Sequence, residues 1–293
     1  MNRKSKILKH LDLRGKGIEI GPSHQPVTPK KEGYNVQIID HLGQQELINK
    51  YRAHGTNTSN IEEVDFVWKG ESYEKLVGKK KCYDWIIASH VAEHTPDLIG
   101  FLNDCDSLLK DTGVLSLVLP DKRYCFDHFR PITSISKLID NHHQKATRHS
   151  QGVVAEYFLN VVKRSDRIAW DDCTGGAFQF SHSLQSSLDA IREYNDDDEY
   201  LDVHSWCFVP HSFRLIIHDL HLLGLIPFKE IGFYQTDGFE FFITLGRSGR
   251  GVSQTRLEML KVIDSEMRDG CVERPTLKMF LLKIKRIIQR LAG

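Results

Sequence analysis

The sequence predicts an α/β protein built on an open, mainly parallel sheet, and three patterns predict it. Short apolar runs alternate with stretches of helical periodicity from residue 16 to about residue 123. The first run, Gly17-Ile18-Glu19-Ile20, leaves through Gly21-Pro22-Ser23, and the second, beginning at Val36, ends on Asp40; open α/β sheets place a carboxylate there, beyond the strand ends, to hold the two hydroxyls of a ribose. Near the far end, runs at 226–233 and 239–245 are joined by a short turn, a hairpin that makes the last strand antiparallel.

Each element has its own warrant. The run at 17–20 is apolar without alternation, as in a strand buried on both faces, and Gly21 forces a sharp turn with little side chain in the way. Residues 44–52 carry Leu47, Ile48 and Tyr51 at helical spacing, 54–60 are polar and loop-like, and 61–68 read as a third strand with Asp65-Phe66 near its end. Tyr83-Asp84-Trp85-Ile86-Ile87-Ala88-Ser89 is the strongest strand, left through His90-Val91-Ala92-Glu93-His94. An amphipathic helix at 97–109 presents Leu98, Phe101, Leu102, Cys105 and Leu108 on one side, and a fifth strand at 114–119 ends at Pro120-Asp121. Residues 121–205 lose the periodicity and gather histidines and charges, which predicts a helical insertion folded over the carboxyl ends of the strands. The sheet resumes after a helix at 210–223 closed by Gly224.

The turn chemistry narrows the ligand. A dinucleotide turn, Gly-x-Gly-x-x-Gly, seats a pyrophosphate on a helix N-terminus, whereas here Gly21 is followed by Pro22, Ser23, His24, Gln25 and Pro26. Glu19 would repel a phosphate and is suited to accept hydrogen bonds from an amino group. An adenosine carrying an amino acid fits these residues best. Here the chain resembles the class I S-adenosylmethionine-dependent methyltransferases, whose first motif stands as Glu19-Ile20-Gly21-Pro22-Ser23, with Ser23 in place of the second glycine. The run from Tyr83 through Ser-His-x-x-Glu-His, helix, Lys-x-x-Gly, strand and Pro120-Asp121 is similar to the middle of the type 11 methyltransferases, and the terminal hairpin extends the resemblance to about residue 246.

The resemblance implies a Rossmann-like seven-stranded methyltransferase sheet over 1–250, with the insertion as a lid over 121–205 and a helical extension over 251–293. S-adenosylmethionine is the expected cofactor. Its amino acid and ribose would meet Glu19, Gly21, Ser23 and Asp40; its adenine, Asp65 and Phe66; and Ser89 and His90 would line the site after the fourth strand. Methyl transfer to a hydroxyl needs alignment and a base. His94, as an imidazole kept neutral at a helix N-terminus, His204, as a loop histidine oriented by Asp202, and Asp121 are the candidates for that base. Arg123, with Tyr124 beside it, would grip an acidic part of the acceptor. The polar insertion points to a sugar hydroxyl, of the kind methylated in surface-polysaccharide synthesis. Other small metabolites, a nicotinamide-dependent oxidoreductase and a non-catalytic nucleotide-binding module are the alternatives.

Composition adds exclusions. Thirty-nine basic residues balance 39 acidic ones, so no global charge directs the chain to nucleic acid. Six scattered cysteines form no Cys-x-x-Cys pair, which fits reduced cytosolic thiols, and no histidine or carboxylate spacing recurs as a metal site would require. The basic N-terminus is not followed by a signal-like apolar core, and no run is long enough to span a bilayer. Helical patterns at 255–268 and 276–291 follow the sheet; the second, apolar on one stripe and basic elsewhere, suits packing, self-association or peripheral contact with an anionic membrane at the inner face.

Overall fold

The computed structural model describes residues 1–171, 173–194 and 201–269. The short helix α1 (Arg3–Leu8) precedes β1 (Gly17–Ile20) and β2 (Val36–Asp40); α2 (Gln44–Ala53), β3 (Phe66–Val67), α3 (Tyr73–Val77), β4 (Tyr83–Ser89), α4 (Leu98–Leu108) and β5 (Leu109–Pro120) follow. The insertion holds α5 (Ile135–His143), α6 (Gln151–Asn160), β6 (Val162–Arg164), β7 (Phe178–Phe180) and α7 (Leu184–Glu193). The chain returns through α8 (Pro210–Leu222) to β8 (Lys229–Asp237), β9 (Glu240–Gly246) and α9 (Arg256–Asp269). Seven strands form one sheet in the order β3-β2-β1-β4-β5-β9-β8. β1 to β5 are mutually parallel, and β9 runs antiparallel between β5 and β8. A reversed strand reached through a terminal hairpin is what separates the methyltransferase sheet from a dehydrogenase sheet, so the fold is the Rossmann-like one that the sequence predicts.

β4 shows why the sheet holds. Its alternate residues enter two cores, Ile86 and Ala88 joining the large cluster under α4, Trp85 and Ile87 joining the cluster that α1 closes with Ile7. A strand covered on both faces has to be apolar throughout. α4 begins where the Asp97 side chain accepts from Gly100 N at 2.8 Å, and buries the predicted stripe of Leu98, Phe101, Leu102, Cys105 and Leu108.

Three elements depart from expectation. The third strand is Phe66–Val67 alone, and the residues before it are held largely through their side chains: Glu62 accepts from the Lys30 and Lys31 N–H groups, and the Asp65 carboxylate takes the Ile38 N–H. The insertion is mixed rather than helical, with the antiparallel pair β6–β7 beside three helices, each opened by a serine N-cap, Ser134, Ser150 and Ser183. The connection from β1 to β2 contains no α-helix, only a turn of 3-10 helix at Lys30–Glu32. α9 packs on α8 through Met259, a His211–Glu266 pair at 2.7 Å and an Arg256–Asp219 pair. The amphipathic helix expected at 276–291 lies outside the described residues. Among the described residues, no helix is long and apolar enough to cross a membrane.

Candidate active site

The carboxyl ends of β1 and β2 carry the first half of the site. Asp40 ends β2 with 4% of its surface exposed. Its Oδ1 accepts from the His41 backbone N–H and faces His41 Nδ1 at 2.7 Å, while its Oδ2 is buried without a hydrogen-bond partner. A buried carboxylate oxygen without a donor is costly, and vicinal ribose hydroxyls would satisfy it. Gly21 turns at φ 62°, and a Cβ there would stand 2.8 Å from Val91 Cγ2, so only glycine lets this turn lie against the loop after β4. Ser23, in the place of the motif's second glycine, takes the left-handed conformation itself at φ 51°, with its Oγ 3.1 Å from His24 Nδ1. These features fit an adenosine whose ribose meets Asp40. The absence of a helix after β1 leaves no N-terminus for a pyrophosphate.

Two expected cofactor contacts are corrected. Glu19 does not offer its carboxylate to an amino group: Oε1 accepts from Val27 N at 2.6 Å, and Oε2 from Thr28 N and Thr28 Oγ1 at 2.9 and 2.7 Å. Burial pushes its pKa up against those three bonds. Glu19 therefore pins the loop 21–29 onto the sheet. Asp65 stands beside Ile38, two residues short of the end of β2, and is bound to Ile38 N and Lys30 Nζ. Phe66 packs into the core, and the residue beyond the strand end is Trp68, whose N–H meets Asp40 O at 2.8 Å. Counting the register back from Asp40 would have found it.

The second half lies after β4, where the insertion returns. Glu93 is fully buried, and its Oε2 has no hydrogen-bond partner. Three imidazoles surround it. His90 Nδ1 lies 3.3 Å and His204 Nε2 4.0 Å from Glu93 Oε1, and His94 meets His204 edge to face at 4.5 Å between ring centres. Ring nitrogens of His94 and His204 and a Glu93 oxygen lie within 4.8 Å of one another. The returning chain is tied on by Ser205 N to Glu93 O at 2.7 Å and Trp206 Nε1 to Thr95 O at 2.6 Å.

Each histidine has a carboxylate behind it. His204 Nδ1 donates to Asp127 at 2.5 Å, and Asp127 is held in turn by Arg130 at 2.7 Å, all of them buried. His94 Nδ1 lies 2.8 Å from Asp202, and His90 Nε2 2.9 Å from Glu240, which also receives Arg3 from α1. Ser89 is engaged by the same Arg3, at 2.8 Å. Burial opposes a charge on His90, but Glu240 and Glu93 outweigh it and hold its pKa at about 9. Burial likewise works against His94, and the Asp202 bond with the Glu93 charge still raises its pKa. Glu93 is pushed up by burial and pulled further down by the three histidines, a net lowering.

This geometry corrects the roles read from sequence. His94 does not stand at a helix N-terminus; it ends the 3-10 turn Ala92–His94, ahead of the Asp97 cap of α4, and faces two carboxylates that raise its pKa. His204 is buried, and Asp127 orients it, not Asp202. Asp121 is not a free base. It is fully buried and accepts from Arg123 N, Nε and Nη2 and from Thr236 Oγ1. The Arg123 fork is spent there and on Glu266 O, with Tyr124 against its guanidinium at 5.2 Å, so it ties α9 to β5 instead of reaching for an acceptor. Sequence reasoning missed Glu93, Asp127, Glu240 and Arg3 as site residues; Glu93 alone had a signal, its place in the Ser-His-x-x-Glu-His run.

No protein-family model and no curated protein matches the chain. Solved structures similar to it include an S-adenosylmethionine-dependent methyltransferase from Aquifex aeolicus, 11% identical over 83% of this chain and 88% of that one, TM-score 0.38. A Listeria monocytogenes protein assigned as an S-adenosylmethionine-dependent methyltransferase is 8% identical over 83% and 96%, TM-score 0.42. A Rhodobacter sphaeroides protein assigned as a zinc-dependent alcohol dehydrogenase is 12% identical over 84% and 88%, TM-score 0.42. The strand order, not these likenesses, identifies the fold.

Proposed function

We propose that the chain is an S-adenosylmethionine-dependent methyltransferase that transfers the methyl group to a hydroxyl oxygen of a polar acceptor, a sugar by preference. The observation that carries this reading is the partnerless Oδ2 of Asp40, buried at the end of β2 beside the Gly21 turn in a sheet of methyltransferase order. When bound, the cofactor supplies an electrophilic methyl on a sulfonium. The chain's own residues then have three tasks. Asp40 accepts from the ribose hydroxyls once the half-exposed His41 ring swings off it. Gly21 brings the backbone close to the ligand, and Glu19 keeps loop 21–29 in place for it. The Glu93–His94–His204 cluster meets the acceptor hydroxyl, whose oxygen forms the new bond to carbon as the carbon–sulfur pair stays on sulfur and the hydroxyl proton passes to a ring nitrogen of the cluster. The insertion, with its buried and partly exposed polar groups, supports a hydrophilic acceptor over an apolar one.

Titration with S-adenosylmethionine and with NADH tests the cofactor. S-adenosylmethionine should bind and NADH should not, and Asp40→Ala should weaken the affinity by about 1.5–3 kcal/mol, roughly 10- to 150-fold. Wild-type binding weaker than millimolar, or an unaltered mutant, would sink the assignment. Mass-spectrometric detection of a methylated product among candidate sugars then tests the acceptor class.

A further inference from the structure

We infer that Glu93, His94 and His204 form a binding site for a divalent transition-metal cation of the zinc class. Two imidazoles and one carboxylate are a donor set such cations take, with coordination positions left for an outside oxygen. The cluster has the marks of a built site. Glu93 has none of its surface exposed; its Oε1 has only the His90 ring at 3.3 Å and its Oε2 has no hydrogen-bond partner, and an oxygen buried in that state calls for a cation or a donor.

The supporting layer is also in place. A metal-bound histidine hands its other ring N–H to a carboxylate, which fixes the tautomer and raises the basicity of the liganding nitrogen. His204 does this with Asp127 at 2.5 Å, leaving its Nε2 facing Glu93 at 4.0 Å, and His94 has Asp202 at 2.8 Å from its Nδ1. A gap of 4.0 Å is too long for a hydrogen bond. Bonds of about 2.1 Å at a tetrahedral cation put ligand atoms about 3.4 Å apart, so the set, within 4.8 Å across, closes on a cation by side-chain movements of about an ångström. His94 and His90, 26% and 30% exposed, provide the edge through which an ion enters. Binding displaces any proton held on the liganding nitrogens.

The site itself rests on this geometry alone; its role in holding and polarising the acceptor hydroxyl rests on the proposed methyl transfer. The full-length protein, stripped with a chelator, is titrated with zinc chloride by calorimetry and with cobalt(II) by visible absorbance, with no S-adenosylmethionine present. One equivalent should bind. Glu93→Gln and His204→Ala should each weaken binding by about 100-fold or more, and Asp127→Asn by about 10- to 100-fold. His182→Ala, which alters a histidine packed on Tyr157 and Phe158, should bind as wild type does. Should the buried variants fail to fold, Asp202→Asn, on a 60%-exposed side chain, should still cost about 10- to 100-fold. No stoichiometric binding by the wild type, or unchanged affinity in the folded cluster variants, overturns the site. Because zinc and S-adenosylmethionine are titrated separately, failure of one leaves the other reading intact.

Discussion

The two halves of the candidate site use carboxylates in opposite ways. On the β1–β2 side, Glu19 is bound by the backbone N–H groups of Val27 and Thr28, and Asp40 by that of its neighbour His41. Those partners are close in sequence and, apart from the half-exposed His41 ring 2.7 Å from Asp40 Oδ1, neutral dipoles; they shape a loop. On the β4 side, Glu93, Asp127 and Asp202 face imidazoles and a guanidinium brought from separate segments, His204 against Asp127 and His94 against Asp202. Those pairs fasten the insertion to the sheet. The first arrangement survives the loss of one bond, whereas the second leaves an unbalanced buried charge when either partner goes.

Asp127→Ala gives the largest expected effect. It leaves His204 without its carboxylate and the Arg130 guanidinium with Glu156 alone in a fully buried setting, and removing one partner of a buried ion pair costs about 3–5 kcal/mol. Asp40→Ala, on the other side, should change stability by less than about 1 kcal/mol, because one of its oxygens has no partner to lose. Urea unfolding of both mutants measures the contrast, and equal losses would break it.

Acid should separate the halves next. His149 in the insertion is bound to Ser205 Oγ at 2.7 Å, and burial, then the nearby His94 charge, lower its pKa to about 4. The unfolded chain titrates this group near 6.5. A depressed histidine contributes stability in full above about pH 6.5 and loses it as pH falls through about 4, a loss on the order of 3 kcal/mol at most. Glu19 moves the other way: its raised pKa favours the folded state at low pH. Limited proteolysis across this range should therefore open the insertion first, and His149→Gln should flatten the dependence. Cleavage within loop 21–29 ahead of the insertion would reverse the comparison.

The same difference governs what the sequence disclosed. The strands, α4, the terminal hairpin and the Gly21 turn were legible because each rests on local periodicity, a cap or a positive φ. Asp40 was legible as a strand-end carboxylate. On the β4 side His94 and His204 were named as candidate bases, but Glu93 and Asp127 were not, since they meet His204 only after the insertion folds back and no spacing rule joins residues from three segments. Asp121 and Arg123 misled for the opposite reason: both stand where reacting groups belong, but their fork closes on itself two residues apart. Asp65 misled by register, as a strand that begins late puts its acidic residue behind the site rather than over it.

The smallest expected effect lies at Ser23, where the chain departs from its motif and the two halves nearly touch. A serine at φ 51° carries a left-handed penalty of about 1–2 kcal/mol that glycine avoids. Glycine, in turn, loses about 0.5–1 kcal/mol through the freer unfolded chain, and the substitution removes the Ser23 Oγ contact with His24 Nδ1. The terms nearly cancel, so Ser23→Gly should shift stability by less than about 1 kcal/mol in either direction and leave S-adenosylmethionine affinity close to wild type. Gly21→Ala is the counterpart that should not be silent: it meets the same conformational penalty and also drives a Cβ to 2.8 Å from Val91 Cγ2, where the β1 turn lies against the β4 loop. If Ser23→Gly instead weakens cofactor binding about tenfold, the hydroxyl itself is part of the cofactor site, and the departure from the motif is a specific contact rather than a tolerated strain.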